Sequence, residues 1–166
     1  RYDDQIAIYG REVQDSIENI KTFMIGSGAL GCELIKAFAL MGVGCGPEGE
    51  IVVTDNDEIA LSNLNRQFLF RLPDVGHGKS EVACAAAKVA NPDCNLIARQ
   101  DMIYPATESI YNDKFWNERT FIVNAVDNQK ARLYVDSRCA WFEKPLLESG
   151  TLGTIANSQM IIPHKS

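Results

Sequence analysis

Short apolar runs alternate along the chain with longer stretches in which apolar residues return every three or four positions. Thr22-Phe23-Met24-Ile25 carries no charge and breaks at a glycine cluster, as a buried strand does. Leu30, Leu34, Ile35, Phe38 and Met41 then fall at helical spacing and stop at Gly42. Ile51-Val52-Val53-Thr54 predicts a second strand ending at Asp55. Residues 79–90 predict a helix that stops at Asn91-Pro92, because proline disfavours continuation. Leu96-Ile97-Ala98 is a weaker third strand, residues 109–119 read as helical, Phe121-Ile122-Val123 is a fourth strand, and residues 129–141 are helical again. Ahead of all these, Ile6, Ile8, Val13, Ile17 and Ile20 among polar residues predict an irregular or helical lead-in. Residues 146–150 and 159–163 supply one or two more strands, with too few residues between them for a covering helix, so these are expected to be antiparallel. Strands alternating with helices predict an α/β fold, a doubly wound and mostly parallel sheet covered on both faces.

Composition narrows what such a fold could serve. At 166 residues the chain is long enough for one domain with a real core, and 46% hydrophobic with 23% charged residues excludes a disordered chain. Sixteen basic against 22 acidic residues leave a net charge of −6, which gives no support to nucleic acid or an anionic membrane as a partner. Glu33 and Lys36 interrupt the most apolar stretch, and the start Arg1-Tyr2-Asp3-Asp4-Gln5 lacks the order of a signal peptide, so an intracellular protein is expected. The five cysteines, Cys32, Cys45, Cys84, Cys94 and Cys139, are scattered without a C-x-x-C pair and are read as reduced, buried thiols.

Seven of the 12 glycines lie between Gly26 and Gly49. Gly26-Ser27-Gly28-Ala29-Leu30-Gly31 fits G-x-G-x-x-G and sits directly after a strand and at the opening of a helix. There the glycines let backbone approach phosphate oxygens, and the free N–H groups of the helix start favour an anion. Asp55, 24 residues after Gly31, ends the second strand where a carboxylate accepts hydrogen bonds from ribose hydroxyls. So far NAD and ATP are served equally. Asp57, then Asn63, Arg66 and Gln67 within Ser62-Asn63-Leu64-Asn65-Arg66-Gln67, Lys79 at the next helix start and Asp127 after the fourth strand separate them. Two cations and acidic groups at one sheet edge suit a triphosphate with Mg²⁺, whereas hydride transfer needs none of them. Gly78-Lys79-Ser80 is not a P-loop, since Pro73 stands where that motif needs glycine.

Together, residues 26–31, Thr54-Asp55-Asn56-Asp57 with Ser62 to Arg71, and Lys144 to Thr154 resemble the second, active adenylation half of eukaryotic ubiquitin-activating enzymes, from Arg1 to about Pro163. The resemblance implies a Rossmann-like, ThiF/MoeB-type adenylation fold. It implies ATP with Mg²⁺ as cofactors and activation of the C-terminal glycine carboxylate of ubiquitin, in the cytoplasm and nucleus. It places Asp55 on the ribose and Asn63, Arg66 and Lys79 on the phosphates, beside the glycines Gly26, Gly28 and Gly31 and Gln67. Asp57 and Asp127 are expected to hold the metal or the reacting centre, making Arg66, Asp57 and Asp127 the expected catalytic residues. It also implies that residues 1–166 are a single adenylation domain within a larger enzyme whose thioester cysteine lies in a separate domain, so none of the five cysteines takes that role. Further expected partners are an inactive adenylation half and, through other domains, ubiquitin-conjugating enzymes. One departure bears on the partner: homodimeric relatives open Arg-Tyr-x-Arg-Gln and reach the neighbouring triphosphate with the second arginine, whereas Asp4 stands here. Activation of another ubiquitin-like or sulfur-carrier protein is the alternative within the fold, and a NAD-dependent oxidoreductase is the alternative outside it.

Overall fold

A computed structural model describes residues 1–152 and 154–165. The lead-in forms two short helices, α1 (Asp3–Tyr9) and α2 (Arg11–Glu18), ahead of β1 (Lys21–Ile25), α3 (Ala29–Met41), β2 (Glu50–Thr54), α4 (Lys79–Ala90), β3 (Leu96–Arg99), α5 (Asp113–Asn117), β4 (Phe121–Asn124), α6 (Gln129–Trp141), β5 (Leu146–Leu152) and β6 (Ile155–Ile161). The strands make one sheet in the order β3-β2-β1-β4-β5-β6. Pairings are parallel through β5, and only β6 runs antiparallel, against β5. The expected antiparallel pair is therefore a hairpin whose first strand still belongs to the parallel sheet.

Strand alternation divides the core in two. Met24, Ile51, Val53 and Val123 face α3 and α4, packing with Ile35, Phe38, Ala83 and Ala87. Phe23, Ile25, Val52 and Ile122 face the other way, onto Trp116, Val135 and Cys139 of α5 and α6. Because both faces are covered, β1 and β2 read as continuous apolar runs. Trp116 anchors the second face, fully buried, stacked on Phe142 and edge-on to Phe23, with its indole N–H donated to the Tyr111 carbonyl at 2.9 Å.

Two elements differ from the pattern's expectation. The helix expected over residues 109–119 shrinks to five residues, because Asn112 accepts from the Phe115 amide at 3.1 Å and caps a start at Asp113. Tyr111 is drawn into the core instead, its hydroxyl 3.2 Å from both Thr54 and Asp101. Strand β6 begins four residues earlier than residue 159, since the exposed segment Ile155 to Ser158 carries no buried face to announce it yet pairs with β5, with Ser158 Oγ 3.0 Å from Ser149 Oγ. Among the described residues, no helix is long and apolar enough to cross a membrane.

Burial pushes the thiols of Cys84, Cys94 and Cys139 up to about 12 and that of Cys32 up to about 11, from an ordinary 9.0. The folded chain thus holds protons that the unfolded chain releases above pH 9, so stability is present below that pH and lost as pH rises toward 12. A urea midpoint that falls steadily through this window is expected. A midpoint unchanged by combined replacement of Cys84 and Cys139 with alanine, in its slope against pH, would contradict this origin.

Candidate nucleotide site at the carboxyl edge of the sheet

Strands β1 and β4 are neighbours whose chains leave to opposite faces, β1 into α3 and β4 toward α6, and a crevice opens beyond their carboxyl ends at such a switch point. A cavity of about 1120 Å³ lies there. Gly26, Gly28, Asp55, Asp57, Asn63, Arg66, Gln67, Lys79 and Asp127 all line it, so the structure brings together residues that span a hundred positions of sequence. The remaining predicted residue, Gly31, is not in its lining and packs closely: a Cβ there would sit 2.2 Å from the Gly26 carbonyl oxygen. Gly26 turns with φ 95°, and a Cβ there would meet the Ala125 carbonyl oxygen at 2.7 Å. These two glycines draw the turn down against β4 and onto α3. Gly28 stands at the N-cap of α3 with no side chain over the helix start, leaving the first N–H groups of α3 toward the cavity.

Asp55 fastens this turn from β2. One carboxylate oxygen accepts the Ser27 amide at 2.7 Å and the Ser27 hydroxyl at 3.0 Å, and the other accepts the Asp57 amide at 2.9 Å. Lys79, 8% exposed, extends from the first turn of α4 to Asp57, Nζ to Oδ2 2.6 Å. The same two residues are joined by backbone, Lys79 N to Asp57 O at 3.0 Å. Asp57 is therefore the counter-ion of the buried lysine, a role the sequence did not suggest. Asn63 is buried and accepts the Ala60 amide at 2.8 Å, shaping the loop that carries Arg66 and Gln67. Arg66 is exposed, its guanidinium resting on the Ser62 carbonyl at 2.9 Å and the Asn65 side chain at 3.2 Å. Gln67 is 4% exposed beside Gly28, and its Oε1 has no partner among the described residues. Asp127 is exposed at the mouth.

Two groups of cavity residues escaped the sequence reading. Asp101, Met102, Ile103 and Tyr104, after β3, form one wall in a segment without periodic signal. On the other side, Arg132 of α6 donates to the Val126 carbonyl at 2.8 Å and the Ser149 carbonyl at 3.1 Å, and Gly150 lies against the guanidinium. Its Nη1 is 3.1 Å from Glu148 Oε1, an ion pair without the alignment of a directed hydrogen bond. Asn124 donates to Glu148 Oε2 at 2.8 Å. Burial raises the Glu148 carboxyl above its ordinary range, and Arg132 and Asn124 oppose that rise. Three polar residues on three elements thus hold β5 against β4 and α6, a contact no local pattern encodes.

The chain is 55% identical over 166 residues to a ubiquitin-activating enzyme E1 of Candida albicans, covering 99% of this chain and 16% of that protein. It is 51% identical over 163 residues to the ubiquitin-like modifier-activating enzyme 1 of Homo sapiens, covering 98% of this chain and 15% of that protein. The chain thus spans about a sixth of the length of these relatives. Among solved structures, E. coli MccB superposes with a TM-score of 0.85 at 25% identity, over 99% of this chain and 48% of that one. The E. coli tRNA N6-threonylcarbamoyladenosine dehydratase TcdA, solved with AMP, shares the fold with a TM-score of 0.82 at 23% identity, over 93% of this chain and 60% of that one. With the profile described as ThiF family matching residues 2–166, nearly its whole length, the chain belongs to the ThiF family.

Proposed function

We propose that this chain is an adenylation domain that binds ATP with Mg²⁺ and activates the C-terminal carboxylate of ubiquitin, within an enzyme built like its relatives. The observation that carries the reading is the meeting of Arg66, Lys79, Asp57 and Asp127 with the Gly26–Gly28 turn in one cavity at the switch point. An oxidoreductase would use the turn and Asp55 but leave the two cations and Asp127 without a task. The residues fit a nucleotide. The uncapped start of α3 accepts phosphate, Asp55 is placed for a ribose, and the unpartnered Gln67 Oε1 calls for a donor such as a hydroxyl. They also fit Mg²⁺, which takes one or two carboxylates together with phosphate oxygens. Among the described residues no three acidic, His or Cys side chains converge, so a cation site complete in protein ligands is not what the cavity offers. We assign the metal to Asp127, with Asp57 set to Lys79 first.

When bound, ATP supplies the electrophilic α-phosphorus and Mg²⁺ the positive charge beside its phosphates. The protein contributes placement and charge. Lys79 and Arg66 neutralise phosphate oxygens, Asp55 and Gln67 orient the nucleoside end, and the glycine turn supplies backbone donors that need no reorganisation. Ubiquitin is proposed over another ubiquitin-like or sulfur-carrier protein because relatives 55% and 56% identical are named ubiquitin-activating enzymes. Asp4, exposed on α1, would repel a neighbouring triphosphate in a homodimer, so an inactive adenylation half is the proposed supplier of the missing arginine. We place the activity in cytoplasm and nucleus, with ubiquitin-conjugating enzymes acting downstream. The test is exchange of labelled pyrophosphate into ATP. This chain alone should exchange weakly, and addition of ubiquitin and an inactive half in trans should raise the exchange several-fold. Exchange indifferent to ubiquitin would contradict the substrate, and equal exchange with a sulfur carrier would favour the alternative.

A further inference from the structure

Away from the cavity, two cysteines 49 residues apart in sequence stand side by side, with Cys45 Sγ 3.0 Å from Cys94 Sγ. Cys45 lies half-buried in the turn after α3, and Cys94 lies buried in the turn between α4 and β3. Both turns are fixed to each other on either side of the sulfurs. Asn95 donates through Nδ2 to the Gly46 carbonyl at 2.9 Å and the Gly49 carbonyl at 3.0 Å, and its amide meets the Gly44 carbonyl at 3.3 Å. On the other flank, fully buried Asn91 donates to the Ala39 carbonyl at 2.8 Å, the Tyr2 hydroxyl at 2.8 Å and Cys45 Sγ at 3.3 Å. The sulfurs are therefore held in place by the backbone that carries them, and bond formation asks them to close by only about 1 Å. No other pair of the five free cysteines is in sulfur contact among the described residues.

We propose that Cys45 and Cys94 form a dithiol site that glutathione disulfide converts into an intramolecular disulfide, whatever the cavity binds. The sulfur of the half-buried Cys45 attacks one sulfur of glutathione disulfide, forming a mixed disulfide and releasing one glutathione, which carries away the Cys45 proton. Cys94 Sγ then attacks Cys45 Sγ, the second glutathione leaves with the Cys94 proton, and the Cys45–Cys94 bond is made. The protein loses two electrons and two protons, and glutathione disulfide gains them. Burial pushes the Cys94 thiol up to about 12, which makes the second step the slower. The bridge joins the far ends of α3 and α4, whose first turns carry the glycine turn and Lys79, and it encloses Asp55, Asn63, Arg66 and Gln67 in one ring. Closing a ring of that size should raise the Tm by about 5 °C or more.

The test treats the native protein with glutathione disulfide, alkylates the remaining thiols after denaturation, and maps the peptides by mass. The expected result is one linked pair of peptides containing Cys45 and Cys94, with Cys32, Cys84 and Cys139 alkylated, and a Tm that rises and returns on addition of dithiothreitol. Cys94→Ala should retain glutathione on Cys45, and Cys45→Ser should leave Cys94 unmodified. The wild-type map decides the matter even where Cys94→Ala does not fold. A lasting glutathione adduct on wild-type Cys45, a link between any other pair, or five alkylated cysteines would overturn the proposal. Formation of the bridge with a lowered Tm would overturn the geometric argument that the two turns are already set for it.

Discussion

Replacing Asp127 by alanine is expected to slow acyl-adenylate formation about 10²- to 10³-fold while leaving the fold intact. The side chain is exposed after the end of β4, so its removal opens no cavity in the core, and its cost to stability should stay within about 0.5 kcal/mol. Its effect on rate comes from position, because it lines the cavity with the Lys79–Asp57 pair and, unlike Asp57, has no ion-pair partner among the described residues. The measurement is ubiquitin-dependent pyrophosphate exchange in a polypeptide of the relatives' length carrying this chain, with ubiquitin affinity determined alongside. Asn at the position should fall nearly as far, since it keeps the size and loses the charge. Wild-type exchange in Asp127→Ala would reduce Asp127 to a solvated surface group.

Gly31→Ala should be a severely damaging substitution for so small a change. The added methyl would lie 2.2 Å from the Gly26 carbonyl oxygen and 2.9 Å from its carbonyl carbon, both backbone atoms of the turn. Relief requires the start of α3 to move off β1 or the turn to move into the cavity. Either way we expect a loss of at least about 3 kcal/mol, with nucleotide binding abolished in whatever remains folded. Gly28→Ala is the control: its methyl would meet only Gln67 Nε2 at 3.8 Å, so stability should be nearly kept. Denaturant midpoints of the two variants check this, and equal midpoints would contradict the packing role given to Gly31.

The residues that announced the fold are those whose environment repeats along the chain. Strands β1 and β2 are buried on both faces and so have to be apolar throughout, and α3 shows one apolar stripe because one of its faces meets the sheet. The glycine turn was legible because strand, turn and helix are contiguous. What the sequence hid depends on partners distant along the chain. The ion pair of Asp57 with Lys79, 22 residues on, has no local sign. Arg132 sits on a helix whose pattern gives it no special place, yet it holds Ser149 and Val126. Tyr111 looks like part of a helix until Thr54 and Asp101 claim its hydroxyl. Strand β6 shows no alternating buried face at its start because it lies at the sheet edge, where even Ile155 is exposed.

The proposed function requires a cavity built for a triphosphate rather than for a dinucleotide cofactor. It is tested most directly by calorimetric titration of the chain with ATP and with NAD⁺, each with and without Mg²⁺. ATP should bind, more tightly with Mg²⁺ than without, and Lys79→Ala should weaken it at least tenfold, the loss of one charge-assisted phosphate contact. NAD⁺ should bind weakly or not at all. Tighter binding of NAD⁺ than of ATP, unaffected by Lys79→Ala, would contradict the account.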